Sequence, residues 1–117
     1  MRSFLIMNGT SEPRAVARLT YDASLIETRR WSGSALVEPG DGLLPLPFEI
    51  WCARTGSSEL SCSLCRMWVR ERMMPPERQL GGLVLKNLGL GFYSEPDLLA
   101  ALGGASARDA FYVVEEQ

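Results

Sequence analysis

Ser58-Glu59-Leu60-Ser61-Cys62-Ser63-Leu64-Cys65-Arg66-Met67-Trp68-Val69-Arg70-Glu71-Arg72-Met73 reads as one amphipathic helix, and it decides the fold. Ser57 or Ser58 can supply a capping oxygen, and Glu59 sits in the first turn, where the helix dipole favours an acid. Glu59, Ser63, Arg66 and Arg70 fall on a narrow polar side. Leu60, Cys62, Leu64, Cys65, Met67, Trp68, Val69 and Met73 fill most of the remainder, so the helix must lie largely buried against another layer. Arg72 falls in the middle of that apolar arc. A charge there must be paired or must reach out to water along its stem.

Upstream, the chain supplies the covering layer as strands. Ser3–Met7 is a short apolar run, Asn8-Gly9 opens a turn that closes near Pro13, and Ala15–Tyr21 alternates in character. Tyr21-Asp22-Ala23-Ser24 is a second turn, followed by a third strand at Leu25–Trp31. Residues 1–31 thus read as an antiparallel meander. Residues 32–57 read as a loop or linker rich in Gly and Pro, with Leu43, Leu44 and Leu46 folding down on the core. Within it, 48–53 is ambiguous between a short strand and a helical turn.

Downstream, Met74-Pro75-Pro76 ends the main helix. A second helix is expected over about 76–88, and a third over 95–102 behind the start signal Ser94-Glu95-Pro96-Asp97. Gly103-Gly104 stops it, Ser106–Asp109 forms a turn, and 110–114 reads as a closing strand. A lone strand leaves its backbone groups unpaired, so this one should join the sheet of residues 1–31. The expected fold class is α+β. It is a single domain over 1–117 in which an N-terminal antiparallel sheet, about three strands plus a C-terminal strand, packs against about three helices in the helical part 58–102.

Composition excludes more than it assigns. Apolar residues make up 46% and charged residues 22%, as in ordinary globular domains, so disorder is not expected. The net charge of −2 lacks the basic excess of a nucleic-acid binder. The charge is uneven: residues 54–86 carry six Arg or Lys and three acids, residues 87–117 one Arg and five acids. This gives a basic middle and an acidic end, which can pair internally or form a polar docking surface. No apolar run approaches a membrane span, and the start of the chain turns polar at Asn8, too early for a targeting segment. The expected location is the cytoplasm.

The cysteines are Cys52, Cys62 and Cys65. Cys62-Ser63-Leu64-Cys65 has redox or zinc spacing. A zinc site needs four ligands, and only Cys52 is available besides the pair. A redox pair belongs at a helix N-terminus, whereas here the pair falls inside the expected helix on its buried side. The expectation is therefore structural core cysteines, with no metal and no cofactor. The chain has no histidine, which removes the usual general base and every Ser–His or Cys–His nucleophile. The glycine pairs match neither a phosphate loop nor a dinucleotide fingerprint. A helix-turn-helix over 76–102 would present Glu95 and Asp97 with no base on its second helix, which disfavours DNA readout. No catalytic residue is assigned, and the chain reads as a non-enzyme.

The spacing Trp68-x-x-x-Arg72-x-x-Pro75-x-x-Arg78, together with Ser106-x-x-Asp109-x-Phe111-Tyr112, resembles a family of small uncharacterised bacterial proteins and N-terminal domains that accompany HipA-like kinases. Members combine a β-rich start, W-L-x-x-R-x-x-P-x-x-R and a closing S-x-x-D-x-Y-W. The match runs over about residues 66–113. Phe111-Tyr112 departs from the Tyr-Trp order, and 51–57 looks like an insertion. The resemblance implies a protein partner: a HipA-like kinase, or another toxin–antitoxin or mobile-element component. It marks Trp68, Arg72, Pro75, Arg78, Ser106, Asp109 and Tyr112 as structural or interaction residues. Small size, mild acidity and lack of catalytic groups also suit a phage or mobile-element inhibitor of host immunity of the anti-CRISPR type, which ranks second because the acid count is modest for a DNA mimic. Asp109 is the motif's one acidic position. It is expected either to pair bidentately with Arg72 or to act only as a local turn cap.

Overall fold

The computed structural model describes residues 1–10, 12–73, 95–104 and 109–116. In chain order these form β1 (Arg2–Asn8), β2 (Arg14–Tyr21), a single 3₁₀ turn (Glu27–Arg29), β3 (Trp31–Ala35), α1 (Leu46–Thr55), β4 (Glu59–Leu60), α2 (Cys62–Met73), α3 (Glu95–Leu102) and β5 (Phe111–Glu115). The architecture is α+β: a five-stranded antiparallel sheet in the order β4-β3-β2-β1-β5, with helices packed on one face. The expected second helix, 76–88, lies outside the described residues.

Period-two alternation builds the core face. Phe4, Leu19, Gly33 and Leu60 stand in one row across β1, β2, β3 and β4, and Val113, Ile6, Ala17 and Ala35 in the next across β5, β1, β2 and β3. The large side chains of these rows meet Phe48 and Cys52 of α1, Cys65, Trp68 and Val69 of α2, and Leu98 and Leu99 of α3 in one buried cluster. Val16 is the extra residue of a bulge where the β1–β2 register slips between Ile6 and Met7. The closing strand joins the sheet as expected, with Ile6 opposite Val113 and Asn8 opposite Phe111.

The third strand is displaced from its expected place. Asp22 makes an Asx turn, its Oδ1 accepting from Ser24 N–H at 3.0 Å, and Asp22 N–H donates to Arg30 O at 2.9 Å. Residues 22–30 are thereby tied into a closed loop with Leu25 and Ile26 exposed, and the strand begins at Trp31. Ser32-Gly33-Ser34, expected as loop, is its middle. A Cβ on Gly33 would stand 2.7 Å from Arg18 O and 3.2 Å from Cys65 Sγ. The glycine marks close approach of α2 to the sheet.

The 32–57 linker is also corrected, because it contains β3 and α1. Pro45 occupies the N-cap position and Pro47 the first turn, where a missing N–H is harmless, and Gly56 ends the helix at φ 67°. Leu44 is buried, but Leu46 points outward and is 70% exposed. The main helix starts later than expected. Glu59 and Leu60 pair with Ser34 and Gly33, and the capping serine is Ser61, whose Oγ accepts from Leu64 N–H at 3.1 Å. Met67, expected on the buried arc, is exposed.

Both sheet edges are closed by local groups. On β5, Phe111 N–H donates to Asp109 Oδ1 at 3.0 Å and Val113 N–H to Gly103 O at 2.6 Å. On β4, Glu59 O accepts from the Trp51 indole at 2.9 Å. Such plugging blunts pairing with other chains.

Candidate functional site

Arg72 approaches the C-terminal turn from the last turn of α2. Its guanidinium lies over the Trp68 ring, 4.7 Å from the centroid, and both terminal nitrogens engage the Asp109 carboxylate. The Nη1–Oδ1 distance is 2.9 Å. The Arg72 side chain is only 10% exposed and that of Asp109 33%. The two readings of Asp109 turn out to be compatible: the carboxylate that grips Arg72 also caps Phe111 N–H. The Arg72 guanidinium therefore holds the Asp109 carboxyl below its ordinary range.

A second cluster occupies the polar side of α2. Arg66 and Arg70 both reach Glu27 of the 3₁₀ turn, at 3.1 and 2.9 Å. Arg70 also reaches Glu95 at the start of α3, at 3.2 Å, and Glu95 accepts from the buried Trp31 indole at 3.2 Å. Hydrogen bonding from Arg70 lowers the Glu27 pKa. On the sheet, Arg2 makes a two-point bond to Glu115, at 2.6 and 2.8 Å, and also reaches Asp97. The Glu115 bond dominates in raising the Arg2 pKa. Arg18 pairs with Glu116 at 2.6 Å.

These contacts resolve the uneven charge. Arg70 with Glu95 and Arg72 with Asp109 join the basic middle to the acidic end inside one molecule. The motif residues sort accordingly. Trp68, Arg72 and Asp109 form one seam. Tyr112 lies on β5 opposite Met7, its ring against Gly9, where a Cβ would stand 2.8 Å from Tyr112 Cε1. Pro75, Arg78 and Ser106 lie outside the described residues. Sequence reasoning missed Arg2, Glu27 and Glu95 as partners. Glu95 was legible as a first-turn acid, but its pairing with Arg70 depends on how α3 docks, which no spacing encodes.

Two adjoining shallow grooves, each of about 340 Å³, run along β4. Glu59, Leu60 and Cys62 border both. Among the described residues, no three Cys, Asp or Glu side chains converge as metal ligands, and no helix is long and apolar enough to cross a membrane. No protein-family model, no curated protein and no solved structure matches the chain. None of these comparisons links the chain to HipA-associated proteins.

Proposed function

We propose that the chain is a non-catalytic protein-interaction module of the cytoplasm that binds and regulates a HipA-like kinase or a related toxin–antitoxin or mobile-element protein. The observation that supports this reading is the outer face of α1. Leu46 is 70% and Ile50 50% exposed, one turn apart, and Ala53 continues the stripe. Single exposed aliphatics are ordinary. Two large ones at i and i+4 with a small residue at i+7 form the anchor pattern by which a helix enters a partner's apolar groove. Because the basic and acidic segments pair internally, apolar anchoring has more support than a charged docking surface.

The test is calorimetric titration of the full chain into the purified HipA-like kinase of the source cell. Leu46→Asp and Ile50→Asp serve as the probes, with circular dichroism to establish folding. The expected result is saturable binding that each substitution weakens by at least about tenfold, or about 1.4 kcal/mol. No binding of the wild-type chain, or binding indifferent to both substitutions, would sink the reading.

A further inference from the structure

The observed start of α2 changes the meaning of Cys62-Ser63-Leu64-Cys65. The sequence expectation buries the pair mid-helix. In the structure β4 ends at Leu60, Ser61 caps the helix, and Cys62 is its first residue. A strand, a cap and then Cys-x-x-Cys opening a helix is the arrangement in which thiol exchange chemistry is set up. The first turn favours negative charge, which an attacking or leaving sulfur carries.

The two thiols are unequal in the way exchange requires. Cys62 is half-buried and borders both grooves. Cys65 is fully buried beside Gly33, and burial, aided by the nearby Cys62, pushes its thiol up to about 12. One sulfur can meet an incoming disulfide, and the other is shielded until a mixed disulfide forms beside it. Residues three apart on a helix have Cβ atoms roughly 5–6 Å apart, and a disulfide needs roughly 3.5–4.5 Å, so a small adjustment of the first turn closes the bond. The grooves flanking Cys62 carry Thr20, Ser32, Ser34 and Ser57, hydroxyls suited to the backbone of a short peptide.

We propose that Cys62 and Cys65 form a thiol–disulfide exchange site that accepts the disulfide of a small cysteinyl peptide. Cys62, its proton released to solvent, attacks one sulfur of the peptide disulfide. That S–S bond breaks, and the departing peptide thiolate takes up a proton. Cys65 then attacks the Cys62 sulfur, the mixed S–S bond breaks, and the Cys65 proton passes to the departing peptide sulfur, so that the second peptide leaves as a thiol. Two protein thiols are oxidised to one disulfide by two electrons, and one peptide disulfide is reduced to two thiols. In a reducing cytoplasm such a pair cycles and does not act as a permanent staple. The inference uses neither Leu46 nor Ile50 and stands apart from the interaction reading.

The test incubates the full chain with oxidised glutathione at increasing ratios to reduced glutathione. The mixture is quenched in acid, alkylated with iodoacetamide, and digested. Trypsin leaves Cys62 and Cys65 together in peptide 55–66 and Cys52 in another, 31–54. The expected product is peptide 55–66 lighter by two hydrogens, reversed by reduced glutathione, with Cys52 alkylated throughout. Cys65→Ser should stop at a stable glutathione adduct on Cys62. If that core variant does not fold, the wild-type time course replaces it, and the adduct on Cys62 should rise and decay before the internal disulfide appears. A wild-type adduct that persists without an internal disulfide would overturn the proposal. So would three thiols that stay free at ratios that oxidise a control Cys-x-x-Cys protein.

Discussion

Arg72 and Asp109 are joined through two parallel hydrogen bonds, with the Arg72 guanidinium at the same time seated on the Trp68 ring. The pair ties the end of α2 to the turn that launches β5. It is neither fully buried nor free in water. Charge-assisted hydrogen bonds contribute about 1.5–3 kcal/mol when shielded and under about 1 kcal/mol when exposed.

Arg72→Ala should therefore cost about 2–3 kcal/mol, because it removes the bonds to Asp109 and the contact with Trp68 together. Asp109→Ala should cost a similar amount, about 2–3 kcal/mol, since it strands the Arg72 guanidinium, only 10% exposed, and removes the acceptor of Phe111 N–H. Urea unfolding of both single variants and the double variant gives the coupling, expected at about 1 kcal/mol. Strictly additive costs would show that the two residues act separately.

Stability should fall with acid and stay level near neutrality. Asp22, Glu27, Asp109 and Glu115 all have carboxyl groups held below their ordinary values by hydrogen bonds, from Ser24, Arg70, Arg72 and Arg2 respectively. A group with a depressed folded pKa contributes stability above its unfolded pKa, about 3.9–4.3, and loses it as pH falls through the folded value. The chain has no histidine, so no imidazole titrates between about pH 5 and 7. Urea midpoints should be flat from pH 7 to 5 and drop below about 4. The gap between wild type and Asp109→Asn should narrow over that same acid range.

Glu27 and Glu95 both bind Arg70, yet their removal should differ. Glu27 is mostly exposed at 62%, so Glu27→Ala should leave stability almost unchanged. Glu95 also accepts from the indole of Trp31, a fully buried residue. Glu95→Ala strands that N–H and should cost about 1–3 kcal/mol. Thermal melts of the two variants should separate accordingly, and equal shifts would mean the indole bond contributes nothing.

How much of this was legible depends on whether a signal was local. The closing strand could be read because an orphan strand demands a partner, and α3 because its start signal is local. The apolar arc around Arg72 demanded a partner or an escape to water, and the motif supplied Asp109. Glycine and proline misled where their use is tertiary or positional. Gly33 serves the approach of α2, and Pro45 and Pro47 begin a helix. The start of α2 was misplaced because Glu59-Leu60 continues the helical pattern while sheet pairing with β3 claims it. That short claim moves Cys62 from the core to a helix mouth.

Gly33→Ala should be among the most damaging small substitutions. The added Cβ would meet backbone at 2.7 Å and two core side chains at 3.1 and 3.2 Å. Backbone cannot yield as a flexible side chain does, and overpacking of a close-fitted core costs about 1–3 kcal/mol. A melt within error of wild type would show that both the β2 backbone and α2 can give way at Gly33 without penalty.

Removing residues 111–117 should unfold the domain. β5 supplies half of the hydrogen-bonded neighbours of β1, which lies between it and β2. Its loss would uncover the flank of Ile6 that Val113 covers and free Arg2 from Glu115. It would also leave Gly103 O without the N–H of Val113, loosening the end of α3. Burying a side chain the size of valine contributes about 1.5–3 kcal/mol, and whole domains are stable by only about 5–15 kcal/mol. The combined loss of Val113, Phe111, the β1 ladder and an ion pair therefore exceeds what the remaining four strands can carry. Far-ultraviolet circular dichroism of a chain ending at Ala110 should show an unfolded spectrum. A control ending at Glu116 keeps every one of these contacts and should melt like the full chain. If the shorter chain stayed folded, β1 would have to be stable as an open edge, and the role given to β5 would be wrong.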